Sequence, residues 1–252
     1  MNKYIHILIC TSLLLVFQAA MAAGATMELK PAGIEITTFY NGTTVTIEGQ
    51  IPADAEAVIR VSGEGEELHL KKKGKVGGLL WMNTGDVSLE NAPKTYMTYT
   101  SASLGDINAS AAQTYGLKAL KDRITVLPES EDKEFIIGEF VKLKKKDGLY
   151  NVNPNTVSYG TVAQGMKSFT VTAVIPPRMG KGDYSVDMGV VQGNKIVDQL
   201  SQSLQVIQVG FPAKLTKLAF QNPLLHGIMA VIIAIAAGLF MGVVFKSKGG
   251  AH

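Results

Sequence analysis

The chain has 252 residues, with 24 Lys and Arg against 21 Asp and Glu, so its formal charge is only +3. A balance this close to neutral excludes the concentrated basic surface that a nucleic-acid footprint needs. The only cysteine is Cys10, which rules out a disulfide scaffold and a thiolate zinc site. The 26 glycines and nine prolines suit a turn-rich β protein.

Taken in chain order, residues 1–23 read as a secretory signal peptide. Lys3 supplies the positive start, Ile5 to Phe17 the apolar run, and Ala20-Met21-Ala22 the small residues that a signal peptidase reads. An uncleaved N-terminal anchor is the alternative. Residues 24–104 carry the signals of a β-rich unit. Ile34 to Ile36 alternates, Asn41-Gly42 makes a turn, and Thr43 to Glu48 follows with Val45 and Ile47 on one face. Ala57–Val61, Leu68–Leu70, Val76–Met82 and Thr95–Thr100 are further short candidates. Trp81, beside Met82, is expected to be a core tryptophan in a sandwich strand; the alternative is a binding platform.

Residues 105–150 change period. Ser110 to Ile124 places Leu117, Leu120 and Ile124 at helical spacing. Beyond Pro128, Ser130 is the expected N-cap of a second helix running to about Asp147. Glu131, Asp132 and Glu134 at its start and Lys142 and Lys144–Lys146 at its end complement the helix dipole. Residues 151–209 return to strands: Phe169, Val171 and Ala173 alternate, as do Tyr184, Val186 and Met188. Gly193-Asn194 is a two-residue hairpin turn before Ile196-Val197, and a last strand covers Leu204–Val209. The fold class this implies is mainly β: an Ig-like β-sandwich ectodomain of one or two β units, with a helical pair between them. Residues 210–223 read as an interfacial segment with Lys214 and Lys217 beside Phe211, Leu215, Leu218 and Phe220.

Residues 224–245 are uncharged. At 1.5 Å per residue they cover about 33 Å, enough for one transmembrane helix, leaving 246–252 as a cytoplasmic tail. Within the span Ala230, Ala234, Gly238 and Gly242 recur every four residues and contain a literal GxxxG. Such a stripe lets a second helix backbone approach closely, so these four are the candidate helix-packing residues. Their partner is either a polytopic membrane protein or a second copy.

No catalytic constellation is legible. There is no HExxH, GxSxG or P-loop, and His69 is the only histidine in the exported part, placed outward in a strand. Glu64, Glu66 and Glu67 read as a solvated hairpin tip. Lys71, Lys72, Lys73 and Lys75 form the densest charge cluster, either a solvated strand edge or an anion or lipid-headgroup surface. No cofactor or metal is expected, and an enzyme is not.

Several stretches together carry a resemblance: Lys71 to Asn83 (KKKGKVGGLLWMN), Pro93 to Tyr96, Gly148-Leu-Tyr150, Pro176 to Tyr184 (PPRMGKGDY) and Asn222 to Gly227 (NPLLHG). In this order they resemble the transmembrane protein family first collected from alphaproteobacteria, Alph_Pro_TM. The resemblance implies a Gram-negative inner membrane, a periplasmic β-rich part and a cytoplasmic C-terminus. It brings no assigned activity and no site residues. Members are often encoded near TauE/SafE-type sulfite exporters, which implies a transport-linked role. With the small-residue stripe and the missing catalytic residues, the expected function is a non-enzymatic accessory protein beside an anion permease. The alternative is a periplasmic module that binds or senses a small anion.

Overall fold

The computed structural model describes residues 24–104 and 109–246; the expected signal peptide and the tail beyond Lys246 lie outside the described residues. Two sheets pack face to face. The first joins β1 (Thr26–Lys30), β3 (Thr43–Pro52), β11 (Met166–Ile175) and β10 (Val157–Ala163) in the order β1-β3-β11-β10. The second joins β2 (Gly33–Ile36), β13 (Lys195–Gln208), β12 (Gly182–Gln192), β4 (Glu56–Gly63), β7 (Tyr96–Thr100) and β9 (Tyr150–Asn153), in that order. Most pairs are antiparallel; β2–β13 and β7–β9 are parallel.

Period-two alternation drives this packing. Phe169, Val171, Ala173 and Ile175 of β11 point inward between exposed neighbours, and Tyr184, Val186, Met188 and Val190 of β12 face them. With Val45, Ile47, Ile51, Ile59 and Leu204 they form one core between the sheets. At roughly 1.5–3 kcal/mol per buried aliphatic or aromatic side chain, this core is the main source of stability.

The strand order is that of an immunoglobulin sandwich, A-B-E-D (β1-β3-β11-β10) against G-F-C-C′ (β13-β12-β4-β7), with β2 as a short strand beside G. The corner between E and F carries the matching lock: Tyr184 Oη donates to the carbonyl of Gly180 at 2.7 Å. Strands from residues 26–63 and from 157–208 are thus hydrogen-bonded neighbours in both sheets, and everything from residue 64 to 156 is inserted between strands C and D.

Within the insertion, β5 (Gly65–Val76), β6 (Leu80–Pro93) and β8 (Thr125–Leu127) form a third sheet. Helices α1 (Ala109–Tyr115), α2 (Leu117–Arg123) and α3 (Lys133–Lys146) cover it and the outer face of the second sheet. Leu89, Leu120, Ile124, Ile137, Phe140 and Tyr150 make a second core there. A smaller one gathers Val58, Leu104, Ala111, Tyr115 and Val191. This double coverage explains why β4 is buried on both faces from Ala57 to Ser62.

Several local expectations are corrected. The N-cap of α3 is Asp132, not Ser130: its carboxylate, two residues closer, accepts from the Phe135 N–H at 3.1 Å. The run Val76–Met82 is not one strand: Val76 ends β5, residues 77–79 make the hairpin turn, and Leu80–Met82 begin β6. Gly77 and Gly78 take φ of +61° and +75° there, a left-handed conformation that only glycine adopts without cost. Glu64, Glu66 and Glu67 consequently sit at the foot of that hairpin, not its tip. Strand β13 is unbroken across its polar middle, because β12 supplies its hydrogen bonds throughout. Strands β8 and β9, of three and four residues, are too short to show a period of their own.

After β13, helix α4 (Gly210–Gln221) leads into α5 (Pro223–Lys246). Helix α5 is long and apolar enough to cross a membrane, and none of its apolar stretch is buried among the described residues.

Candidate interaction site

The β5–β6 ribbon grows from the local sequence. Alternation along β5 puts Leu68, Leu70 and Lys72 on the side facing α3, and His69, Lys71, Lys73 and Lys75 on the open side. Helix α3 lies alongside, running opposite to β5. Lys72 Nζ pairs with Glu131 just before the helix at 2.6 Å, and Lys144 near its end pairs with Glu66 at 3.3 Å. A groove of about 350 Å³ between them is lined by Leu70, Val87, Ile136 and Phe140. Helical cover ends near Lys72. Four more residues of β5 follow, about 13 Å of bare two-stranded ribbon.

That bare end is apolar. Leu79 is 86% exposed, Leu80 67% and Trp81 68%, and Val76 and Met82 are more than half exposed. The expected core tryptophan is therefore a surface tryptophan, because the glycine turn places it at the exposed end of a two-stranded ribbon. The Gly77-Gly78 dipeptide between two alternating segments was the sequence signal for that hairpin.

The four candidate lysines do not converge on one point. Lys71 pairs with Asp86 at 2.6 Å, Lys72 is turned to the helix side, and Lys75 lies 5.5 Å over the Trp81 ring. Lys71, Lys73 and Lys75 share one face and are spread along about 13 Å of strand. His69, exposed as expected, sits 2.8 Å from Ser88 Oγ and 3.6 Å from Glu67.

The most constrained charges lie elsewhere, on the outer face of the second sheet. Arg60 of β4 stands directly across from Asp187 of β12, with its Nη2 2.7 Å from Oδ2. Ser185 and Ser201 donate to the other carboxylate oxygen at 2.6 and 2.7 Å. Burial alone would raise the Asp187 pKa, but these hydrogen bonds and the guanidinium outweigh it and hold the carboxyl below its ordinary value. Arg60 also donates to the Thr114 carbonyl at 2.9 Å and lies 4.9 Å over the Tyr115 ring. Because Arg60 bonds both Asp187 of the sheet and the Thr114 carbonyl of α1, this arrangement clamps α1 to the sheet. Among the described residues no group of three or more His, Cys, Asp or Glu is placed to hold a metal.

At the other end of the chain, α4 lies across the ends of β12 and β13 and borders an open, shallow cleft of about 820 Å³ lined by Lys181, Val206, Lys217 and Phe220. Ala230, Ala234, Gly238 and Gly242 all fall within α5 and are exposed. A Cβ built on either glycine meets no atom within 4 Å.

These features define a class: a β-rich body joined by a short helix to one apolar helix fit to span a membrane. The chain belongs to the family described as "Putative transmembrane protein (Alph_Pro_TM)", whose model matches residues 26–247. No curated protein matches it. Among solved structures, one match comes from "Structural basis of T cell specificity and activation by the bacterial superantigen toxic shock syndrome toxin-1". It is 11% identical, covers 73% of this chain and 100% of its own, and has a TM-score of 0.22. At that score the likeness carries no argument.

Proposed function

We propose that this protein is a non-enzymatic accessory subunit, held by α5 at the inner membrane with its β body in the periplasm and its C-terminus in the cytoplasm. Its partner is a polytopic membrane protein of the anion-permease kind. One observation carries the reading: α5 has an open stripe of small residues, and among the described residues none of its apolar stretch is buried. In a bilayer such a stripe gains contact energy only by meeting another helix. The Gly238→Leu/Gly242→Leu double variant fills the stripe. It should still fractionate with membranes but lose the permease on gentle affinity purification. Unchanged co-purification would remove the stripe from the mechanism, and recovery of a homo-oligomer would make the partner a second copy.

The rival reading, a small-anion-binding module, draws on Lys71, Lys73 and Lys75 sharing one face. Their spread along the strand and the pairing of Lys71 with Asp86 favour an extended anionic surface over a small anion. Calorimetry with sulfite and sulfate tests the rival, and heat of binding lost on Lys73→Ala would support it.

A further inference from the structure

We propose that the tip of the β5–β6 ribbon is a second membrane contact. Leu79, Leu80, Trp81 and Met82 enter the interfacial layer of the bilayer that α5 crosses, and Lys71, Lys73 and Lys75 meet anionic lipid headgroups behind them. The proposal rests on the reading of α5 as a membrane span.

Topology places the foot of the ribbon at the anchor-side end of the second sheet. Strand β13 runs toward α4 and the anchor. Strand β12 is antiparallel to it, with Gly182 opposite Val206, and β4 is antiparallel to β12, with Gly63 opposite Tyr184. Strand β4 therefore runs in the same direction as β13, and β5 continues from its anchor-side end. The foot of the ribbon confirms this placement: a Cβ on Gly182 would lie 3.7 Å from Lys94 Nζ, and Lys94 pairs with Glu64. Only β12 separates β4 from β13, so ribbon and anchor leave the same sheet end two strand spacings apart, about 10 Å.

The chemistry of the tip suits a lipid interface. Its apolar residues occupy both faces of the hairpin: Trp81 lies opposite Lys75, while Val76 pairs with Leu80 on the other side. A strand edge meant for water alternates; this one does not. Tryptophan favours the headgroup level, where its ring is half apolar and half wet. The lysines on the open face begin next to Trp81 and run back from the tip, the depth at which headgroup phosphates would lie. Charge complementarity with an anionic leaflet then adds about fivefold in affinity per lysine.

Trp81 is the only tryptophan in the chain, so its fluorescence reports on the tip alone. The full-length protein is reconstituted into nanodiscs of phosphatidylcholine, with or without phosphatidylglycerol, and the emission maximum, acrylamide quenching and quenching by lipids brominated on the acyl chain are measured. The expected result is a blue-shifted, acrylamide-shielded Trp81 that brominated lipid quenches, most strongly with phosphatidylglycerol. The Lys71→Glu/Lys73→Glu/Lys75→Glu variant, altered only at exposed positions, should return the emission to that of a solvated indole. Red emission and full acrylamide access in both lipids, while the protein co-elutes with the discs, would overturn the tip contact and leave the anchor intact. Equal quenching in both lipids would overturn the lysines' part. A blue shift that appears in detergent and grows with protein concentration would instead make the tip a contact between copies. Failure to enter the discs at all would overturn both the anchor and this proposal.

Discussion

Arg60 shows how one residue can hold two layers together. With 9% of its side chain exposed against 17% for Asp187, the pair is too buried for either charge to lose its partner cheaply. Arg60→Ala strands the carboxylate, and we expect a loss of about 3 kcal/mol in stability, read from a urea midpoint. The Asp187 carboxyl has a depressed folded-state pKa, so its contribution is fully present above the unfolded value near pH 4. It disappears as pH falls through the lower folded value. Stability followed from pH 6 to pH 2 should therefore drop in the acid limb, and Asp187→Asn should flatten that limb. Tyr184→Phe removes the bond to Gly180 and should cost about 1 kcal/mol, seen as a few degrees in Tm.

At the level of elements, two close fits decide whether strands and helices form where they do. Gly49 lies in the middle of β3, between β1 and β11. A Cβ there would overlap the Thr26 carbonyl and come within 2.9 Å of the Phe169 ring. Gly49→Ala should cost roughly 1–3 kcal/mol by forcing β1 away from the sheet; an unchanged thermal midpoint would mean that β1 yields freely. The cap of α3 is milder. Asp132→Ala should cost about 1 kcal/mol, and because α3 shields the lower half of the ribbon, amide exchange at Leu68 and Leu70 should quicken with it. Slower or unaltered exchange there would separate the helix from the ribbon.

For the whole molecule, the anchor and the body are separable in their packing. No residue of α4 or α5 belongs to any of the three buried clusters. A chain stopped after Val209 should keep the sandwich core and leave the integral membrane fraction, as carbonate extraction and fractionation would show. A truncated chain that aggregates would mean that α4, across the ends of β12 and β13, is needed to close the sheet. If the ribbon tip contacts lipid, this shortened chain should retain a weak, salt-sensitive affinity for anionic vesicles.

The sequence by itself determined the features that depend on local period and composition. The uncharged run at 224–245 marked α5, alternation in Phe169–Ala173 and Tyr184–Met188 marked the inner strands, and the charge gradient around Ile136–Val141 marked α3. Each signal lies within one element, where side-chain spacing and backbone geometry are tied together. Tertiary structure alone decided that strands from both sides of the helical segment share two sheets, since hydrogen bonding between β3 and β11 joins residues more than a hundred positions apart. It also decided the fate of Trp81. An apolar residue beside a glycine turn reads the same from sequence whether the hairpin ends in a core or in the open. Only the length of α3, which stops covering β5 near Lys72, leaves that end bare.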